Sequence, residues 1–309
     1  MTQASDNTVT LQQLIDNSND TTKQSFRDIA QAADDPDSIK ATPFYQLGLD
    51  SRQINSDDVF ILLTSQTQNS QASLKYLKQA APQAAFILSE IAPSALFAND
   101  DLASNSTEAK QYLEDLPCPV LYVPNIRAIL GDLAQAKLQY QQPVALPTVV
   151  AVTGTNGKTT ISQLVAQLAQ LAMLSSAVMG TAGNGRLGAL VQASHTTGDA
   201  LAVQQFLHQM GVEGVDILAL EASSHGLDQQ RLQGVPIKVA IYTNLSRDHL
   251  DYHADMDEYV AAKAKLFDSR YFPDLTHAII NIDDAHGENY AQVMLDMAQA
   301  SDLTIWTYS

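Results

Sequence analysis

The chain has 309 residues and is 45% hydrophobic, enough for two domains with their own cores. A formal charge of −17 argues against a nucleic-acid or anionic-membrane surface, so an anionic ligand must be held by local groups against the overall field. No apolar run reaches the roughly 18 residues of a membrane span, Met1 to Asp6 lack the basic and apolar parts of a signal peptide, and the single cysteine, Cys118, excludes an internal disulfide and fits a reducing cytoplasm.

Residues 1–8 are polar and read as loose. Thr10-Leu-Gln-Gln-Leu-Ile15 reads as a short helix with Thr10 as its cap. Residues 16–42 read as a polar stretch with a turn at Asp34-Asp-Pro-Asp37. Leu47-Gly-Leu-Asp-Ser-Arg52 leads into an apolar strand, Val59 to Leu63. A helix over 71–81 and strands at Ala84–Leu88 and Val120–Val123 complete a small α/β unit. The segment 92–118 is loop-rich with a helical patch near 107–115. Cys118, between Pro117 and Pro119, reads as an inert loop residue. Pro124 marks the boundary between a domain of residues 1–125 and one of 126–309.

Ile126-Arg-Ala-Ile-Leu-Gly-Asp-Leu-Ala134 reads as a helix leading through Pro143 and Pro147 into Val149-Val-Ala-Val-Thr-Gly-Thr-Asn-Gly-Lys-Thr-Thr160. This β-branched run turns on Gly154 and Gly157. It passes into a helix with Leu164, Val165, Leu168 and Leu171 at helical spacing. Strand, glycine loop and helix form a phosphate cradle: glycines let backbone N–H groups converge, and the helix points its positive end at the anion. Gly154, Thr155, Asn156, Gly157, Lys158, Thr159 and Thr160 are the expected nucleotide-binding residues. Lys158 would reach the outer phosphates and the Thr159 hydroxyl would ligate magnesium. The full G-x-x-x-x-G-K-[ST] pattern asks for glycine where Val152 stands, so the loop is a shorter variant. Its bland alternative is a glycine turn before an amphipathic helix.

Beyond the loop, strands at 177–179, 216–220, 239–243, 277–281 and 303–306 alternate with helices over 200–210, 256–268 and 288–300. Such alternation predicts a parallel sheet covered on both faces, with ligands at the carboxyl ends of its strands. Glu221 closes one strand, where a phosphate-loop enzyme places a second magnesium-holding carboxylate. Thr243-Asn-Leu-Ser-Arg-Asp-His-Leu-Asp-Tyr-His253 clusters Asp248, His249, Asp251 and His253 past another. A zinc or hydrolase site there lacks a Cys partner or an H-x-x-x-H helix, and not all four residues can face one ion. In Tyr259-Val-Ala-Ala-Lys-Ala-Lys-Leu-Phe267, Lys263 lies beside the Tyr259–Ala262–Leu266 stripe. The residues alone make it a snorkelling surface lysine.

Four ordered motifs, Gly154–Thr160, Glu221-Ala-Ser-Ser-His-Gly-Leu-Asp-Gln-Gln-Arg231, Thr243–His253 and Ala261-Ala-Lys263, together resemble the Mur ligases. The resemblance runs from about Leu47 to Asp284. It implies a small N-terminal α/β domain that binds a UDP-sugar, followed by a parallel-sheet phosphate-loop ATPase domain. The implied enzyme is a cytoplasmic monomer that uses ATP and magnesium to add an amino acid, meso-diaminopimelate first among the candidates, to UDP-N-acetylmuramoyl-dipeptide. By the resemblance Lys158, Lys263 and His249 are catalytic. Thr159 and Glu221 would hold one metal, His249 a second, and Lys263 would be a carbamate ligand. Leu49 and Ser51 would contact uridine; Thr196, Thr197, Ser223, Gln229 and Arg231 would contact the sugar-peptide. Arg231 suits a phosphate or carboxylate fork. Two departures are His195, where the family has Asn before Thr-Thr, and Ser65-Gln-Thr-Gln-Asn-Ser70, where it has a loop ending in Asp-Gly. The resemblance also implies that the chain stops at Ser309 within the ATPase domain and is inactive alone. The alternatives are a non-catalytic nucleotide- or UDP-sugar-binding fragment and a folylpolyglutamate-type ligase.

Overall fold

A computed structural model describes residues 7–65, 70–97, 111–192, 196–283 and 290–309. The chain divides into two compact units, Met1–Ile129 with Ala136–Gln141, and Leu130–Gln135 with Gln142–Ser309. Among the described residues no helix is long and apolar enough to cross a membrane.

The first unit opens on Thr10, whose hydroxyl accepts the Gln13 N–H while the Gln13 side chain accepts the Thr10 N–H, a reciprocal cap on the helix Leu11–Asn17. The stretch 16–42 departs from the expected polar connection, because it folds into two helices, Asp20–Gln31 and Pro36–Ala41. Three buried residues, Phe26, Ile29 and Ala30, suffice to anchor the first. The Asp34–Asp37 turn starts the second: Asp35 accepts from Ser38 N–H, and Pro36 stands at the first helical position. Strands β1 (Val9–Thr10) and β2 (Pro43–Phe44) pair antiparallel.

Four further strands, β3 (Leu47–Gly48), β4 (Asp58–Leu62), β5 (Ala84–Ser89) and β6 (Val120–Tyr122), form a parallel sheet in that order. All five residues of β4 are buried, as a parallel strand covered on both faces requires. Its Asp58 carboxylate accepts the Gln46 and Asn55 amides. The helix Ser70–Ala80 packs Leu74 and Leu77 into a core with Phe60, Leu62 and Ile87. Cys118 belongs to this core, and burial pushes its thiol up to about 11, which makes it unreactive. Of the helical patch near 107–115, residues 111–114 are helical and 107–110 lie outside the described residues.

The second unit carries a seven-stranded sheet. Its strands are β7 (Thr148–Thr153), β8 (Ser176–Gly180), β9 (Gly183–Arg186), β10 (Ile217–Glu221), β11 (Ile237–Tyr242), β12 (His277–Asn281) and β13 (Thr304–Tyr308), ordered β13-β12-β11-β7-β10-β8-β9. Six strands run parallel; β9 returns antiparallel on β8 as an edge hairpin. Its sequence, Gly-Asn-Gly-Arg, has no strand-forming pattern and was not legible as a strand.

One face of this sheet carries Val149, Ala151, Leu218, Leu220, Ala240 and Tyr242 against Val203 and Leu207 of the helix Ala200–Val212, and Phe267 and Met294 join the same core. The other face carries Val150, Val152 and Ile241 under the helix Lys158–Leu171. That helix buries Ser162, Ala166 and Ala169, whose small side chains let it approach the sheet closely. Its leucines point outward, with Leu168 63% and Leu171 80% exposed. Because β7, β8, β10 and β11 are mutually parallel, Thr153, Gly180, Glu221 and Tyr242 all end at one edge. The candidate site lies there.

Candidate active site

Gly154 has φ 148° and Gly157 φ 85°, and a Cβ at Gly154 would overlap the Thr243 hydroxyl. Only glycine fits that close approach. The chain after β11 then holds the loop from below. Asn244 accepts the Thr155 N–H through its carbonyl (2.8 Å) and the Asn156 N–H through Oδ1 (3.1 Å). Thr243 Oγ1 donates to Asn156 O at 2.6 Å, and Thr155 Oγ1 accepts from Ser246 N–H. Tyr259, fully buried, places its hydroxyl 3.1 Å from Thr155 Oγ1. The loop is thus fixed by a second segment roughly ninety residues away. The first bond of the Lys158–Leu171 helix runs from Ile161 N–H to Gly157 O, so the amides of Lys158, Thr159 and Thr160 stand outside the helical ladder. They are the donors that a phosphate would meet.

Lys158 Nζ donates to the carbonyls of Gly154 (2.8 Å) and Thr155 (2.9 Å). Burial lowers its pKa, while the carboxylates of Glu221 and Asp248 pull it back up. Lys263 is 1% exposed, which overturns the surface-lysine reading. Its Nζ donates to the same Gly154 carbonyl at 3.0 Å and lies 4.6 Å from the Tyr259 ring centre. Burial, with the Lys158 cation beside it, brings Lys263 down to about 7, against the opposing pull of Asp248. A large share of the amine is therefore neutral near pH 7, the form in which a lysine reacts as a nucleophile.

Glu221 is 1% exposed. Its Oε2 accepts from the hydroxyls of Thr159 and Thr181, each at 3.1 Å, and its Oε1 accepts the Thr181 N–H at 3.0 Å. With the Thr159 hydroxyl, this buried carboxylate offers the hard oxygens that magnesium takes. The donor set therefore fits such an ion at Thr159 and Glu221. Lys263 fits only as its carbamate, since an ammonium has no lone pair to give. Among the described residues no three His, Cys, Asp or Glu side chains converge as a metal cluster.

His249 stands in the left-handed region (φ 52°) with its side chain partly exposed. Its ring meets those of His225 (5.0 Å between centres) and Tyr259 (5.9 Å), while Asp248 accepts its N–H. His253 is buried beside the same rings, and burial holds both His225 and His253 below the ordinary imidazole range. Asp251 is exposed.

The residues expected at the sugar-peptide form a second hydrogen-bonded group. Arg231 donates Nε and one terminal nitrogen to Gln229 Oε1 and the other to Thr197 O. Gln229 donates to the Tyr252 hydroxyl, which donates to Asp228. Thr197 is buried, its hydroxyl donating to Glu221 O and accepting the Ser223 N–H. Ser223 caps the short helix Ser224–Asp228. Thr196 Oγ1 lies 3.0 Å from Thr181 Oγ1. His195 and residues 66–69 lie outside the described residues. In the first unit, Leu49 is half-buried and Ser51, buried, donates to Gln79.

Sequence reasoning missed Thr181, His225 and the Thr243–Asn244 support. The position of Thr181, one residue past a strand end on the ligand edge, was the available signal.

Residues 152–309, about half of the chain, match the family described as Mur ligase middle domain. The chain is 39% identical over 253 residues to the UDP-N-acetylmuramoyl-L-alanyl-D-glutamate--2,6-diaminopimelate ligase of Haemophilus ducreyi, covering 82% of this chain and 48% of the relative. It is 36% identical over 276 residues to that of Vibrio vulnificus, covering 85% and 50%. A solved structure of a ligase of that name aligns with a TM-score of 0.74 at 36% identity, over 98% of this chain and 52% of the other. MurF from Acinetobacter baumannii, at 19% identity and a TM-score of 0.54 over 98% of this chain and 53% of the other, shares the fold. The chain spans about half the length of the curated relatives it matches. With the phosphate loop, Glu221, Lys263 and the Thr243–His253 segment gathered at one sheet edge and the family match running through all of them, the chain belongs to the Mur ligases.

Proposed function

We propose that this chain carries the carboxylate-activating site of an ATP-dependent ligase that joins an amino acid, diaminopimelate first among the candidates, to UDP-N-acetylmuramoyl-L-alanyl-D-glutamate. The supporting observation is the pairing of a braced phosphate loop, where Lys158 waits on the Gly154 and Thr155 carbonyls, with the buried Glu221 carboxylate. The ligase names of the relatives support the substrate class.

In this reading Lys158 exchanges its two carbonyl partners for phosphate oxygens, and the amides of Lys158 to Thr160 cradle the same anion. Thr159 and Glu221 would hold one magnesium ion and His249 a second, with Lys263 a ligand as its carbamate, and these ions would supply charge neutralisation at the transferred phosphoryl group. The substrate carboxylate attacks the γ-phosphorus, ADP leaves, and an acyl phosphate forms. The amine of the amino acid then attacks the acyl carbon; phosphate leaves, an amide forms and the amine loses a proton. Arg231 turns its fork from Gln229 to the sugar-peptide, with Thr196, Thr197, Ser223 and Gln229 around it. Leu49 and Ser51 serve the uridine. The working form is a cytoplasmic monomer.

The test is calorimetric binding of UDP-N-acetylmuramoyl-L-alanyl-D-glutamate beside UDP alone. The dipeptide form is expected to bind at least tenfold tighter, an advantage that Arg231→Ala removes. Equal affinity for the two would reduce the chain to a nucleotide binder and overturn the ligase reading.

A further inference from the structure

We infer that Thr181 is a positioning residue, which fixes the Glu221 carboxylate for a divalent cation and ties it to the sugar-peptide contact at Thr196. The inference rests on the ligase reading, which supplies the cation. Thr181 follows β8 directly and reaches both oxygens of Glu221: its N–H meets Oε1 at 3.0 Å and its hydroxyl meets Oε2 at 3.1 Å. A two-point clamp sets the tilt of the carboxylate as well as its position. Gly180 clears the space, since a Cβ there would overlap the Glu221 carboxyl group. Glu221 thus keeps its orientation with the Thr159 hydroxyl alongside, before any cation binds.

The same hydroxyl lies 3.0 Å from Thr196 Oγ1. Each threonine has one hydroxyl proton. The Thr181 proton therefore serves either Glu221 Oε2 or Thr196 Oγ1, and the two acceptors compete for it. A ligand that donates to Thr196 Oγ1 displaces Thr181 from it and leaves the Thr181 proton to Glu221, so occupancy of the sugar-peptide side changes the hydrogen bonding of the cation-side carboxylate. No core packing depends on Thr181, whose side chain is exposed. Its hydroxyl can be deleted without opening a cavity.

The experiment uses the 309-residue chain, with manganese binding read by electron paramagnetic resonance and binding of a fluorescent ADP analogue read with magnesium and with chelator. Thr181→Val is expected to weaken manganese binding about tenfold, the loss of one hydrogen bond to a charged group. Nucleotide affinity in chelator should stay unchanged, and Thr181→Ser should restore the cation. Unchanged manganese affinity in Thr181→Val overturns the inference. So does an equal loss with and without magnesium, or a fall in melting temperature that Thr181→Ser shares, since either marks a purely structural role. If the unsubstituted chain shows no cation-dependent nucleotide binding, the ligase reading itself fails and takes this inference with it.

Discussion

Replacing Lys263 by methionine isolates the cost of sinking an amine under the phosphate loop. The lysine is 1% exposed and held near 7 against a usual 10.5. That difference corresponds to on the order of 5 kcal/mol withheld from folding wherever both states would otherwise be protonated. Between about pH 7 and 10 the unfolded chain still binds the proton that the folded chain has released. Stability of the unsubstituted protein therefore rises with pH across that window, by up to about 1.4 kcal/mol per pH unit. Lys263→Met lacks the titration. It also lacks the bond to Gly154 O, but Lys158 still donates to that carbonyl, so the loss offsets only about 1–2 kcal/mol. In carbonate-free buffer the variant is expected to be the more stable protein at pH 6–7, with the gap closing towards pH 9–10. Urea denaturation of both proteins at each pH gives the difference directly. A difference independent of pH would refute the buried-amine reasoning. Added bicarbonate should stabilise only the lysine form, as carbamate formation at a neutral amine requires.

Gly180→Ala would drive a methyl group into the Glu221 carboxylate, so cation-dependent nucleotide affinity should fall at least tenfold and stability by about 1–3 kcal/mol, measured by nucleotide titration and thermal unfolding. Burial holds the Asp132 carboxyl up at about 6, so the folded chain keeps a proton that the unfolded chain loses from about pH 4 upward, and stability drops through that window. Asp132→Asn should remove the drop and gain roughly 2 kcal/mol at pH 7.5 but little at pH 4, read by urea denaturation. In the helix Lys158–Leu171, Leu168→Ser should change stability by no more than about 0.5 kcal/mol, while Ala166→Leu should cost about 1–3 kcal/mol by wedging the helix off the sheet, both by thermal unfolding.

Strand–helix alternation after Val149 was legible because buried parallel strands are continuous apolar runs, and each expected strand there is present within a few residues. Periodicity located the Lys158–Leu171 helix but not its buried face. Leu164, Leu168 and Leu171 lie outward, while Ser162, Ala166 and Ala169 are buried and Ile161 and Val165 pack on the sheet from the margins. The helices at Asp20–Gln31 and Pro36–Ala41 were hidden by their polar surfaces, although Asn19 and Asp35 carry ordinary capping signals. In the site, the glycine loop and Glu221 announced themselves by position. Lys263 did not, since its burial comes from elements far apart in the chain: the loop at Gly154, and Tyr259 on its own helix. Thr181 escaped for the same reason, as its partner Glu221 is forty residues away.

The most direct measurement is calorimetric titration of ATP, in magnesium, into this chain and into Lys158→Ala. The amine on the Gly154 and Thr155 carbonyls is the cation that a phosphate would capture. Magnesium-dependent binding is therefore expected in the unsubstituted chain and should be lost in Lys158→Ala, with an unchanged circular dichroism spectrum. Equal ATP affinity in the two proteins would contradict the assignment of the loop as a nucleotide site.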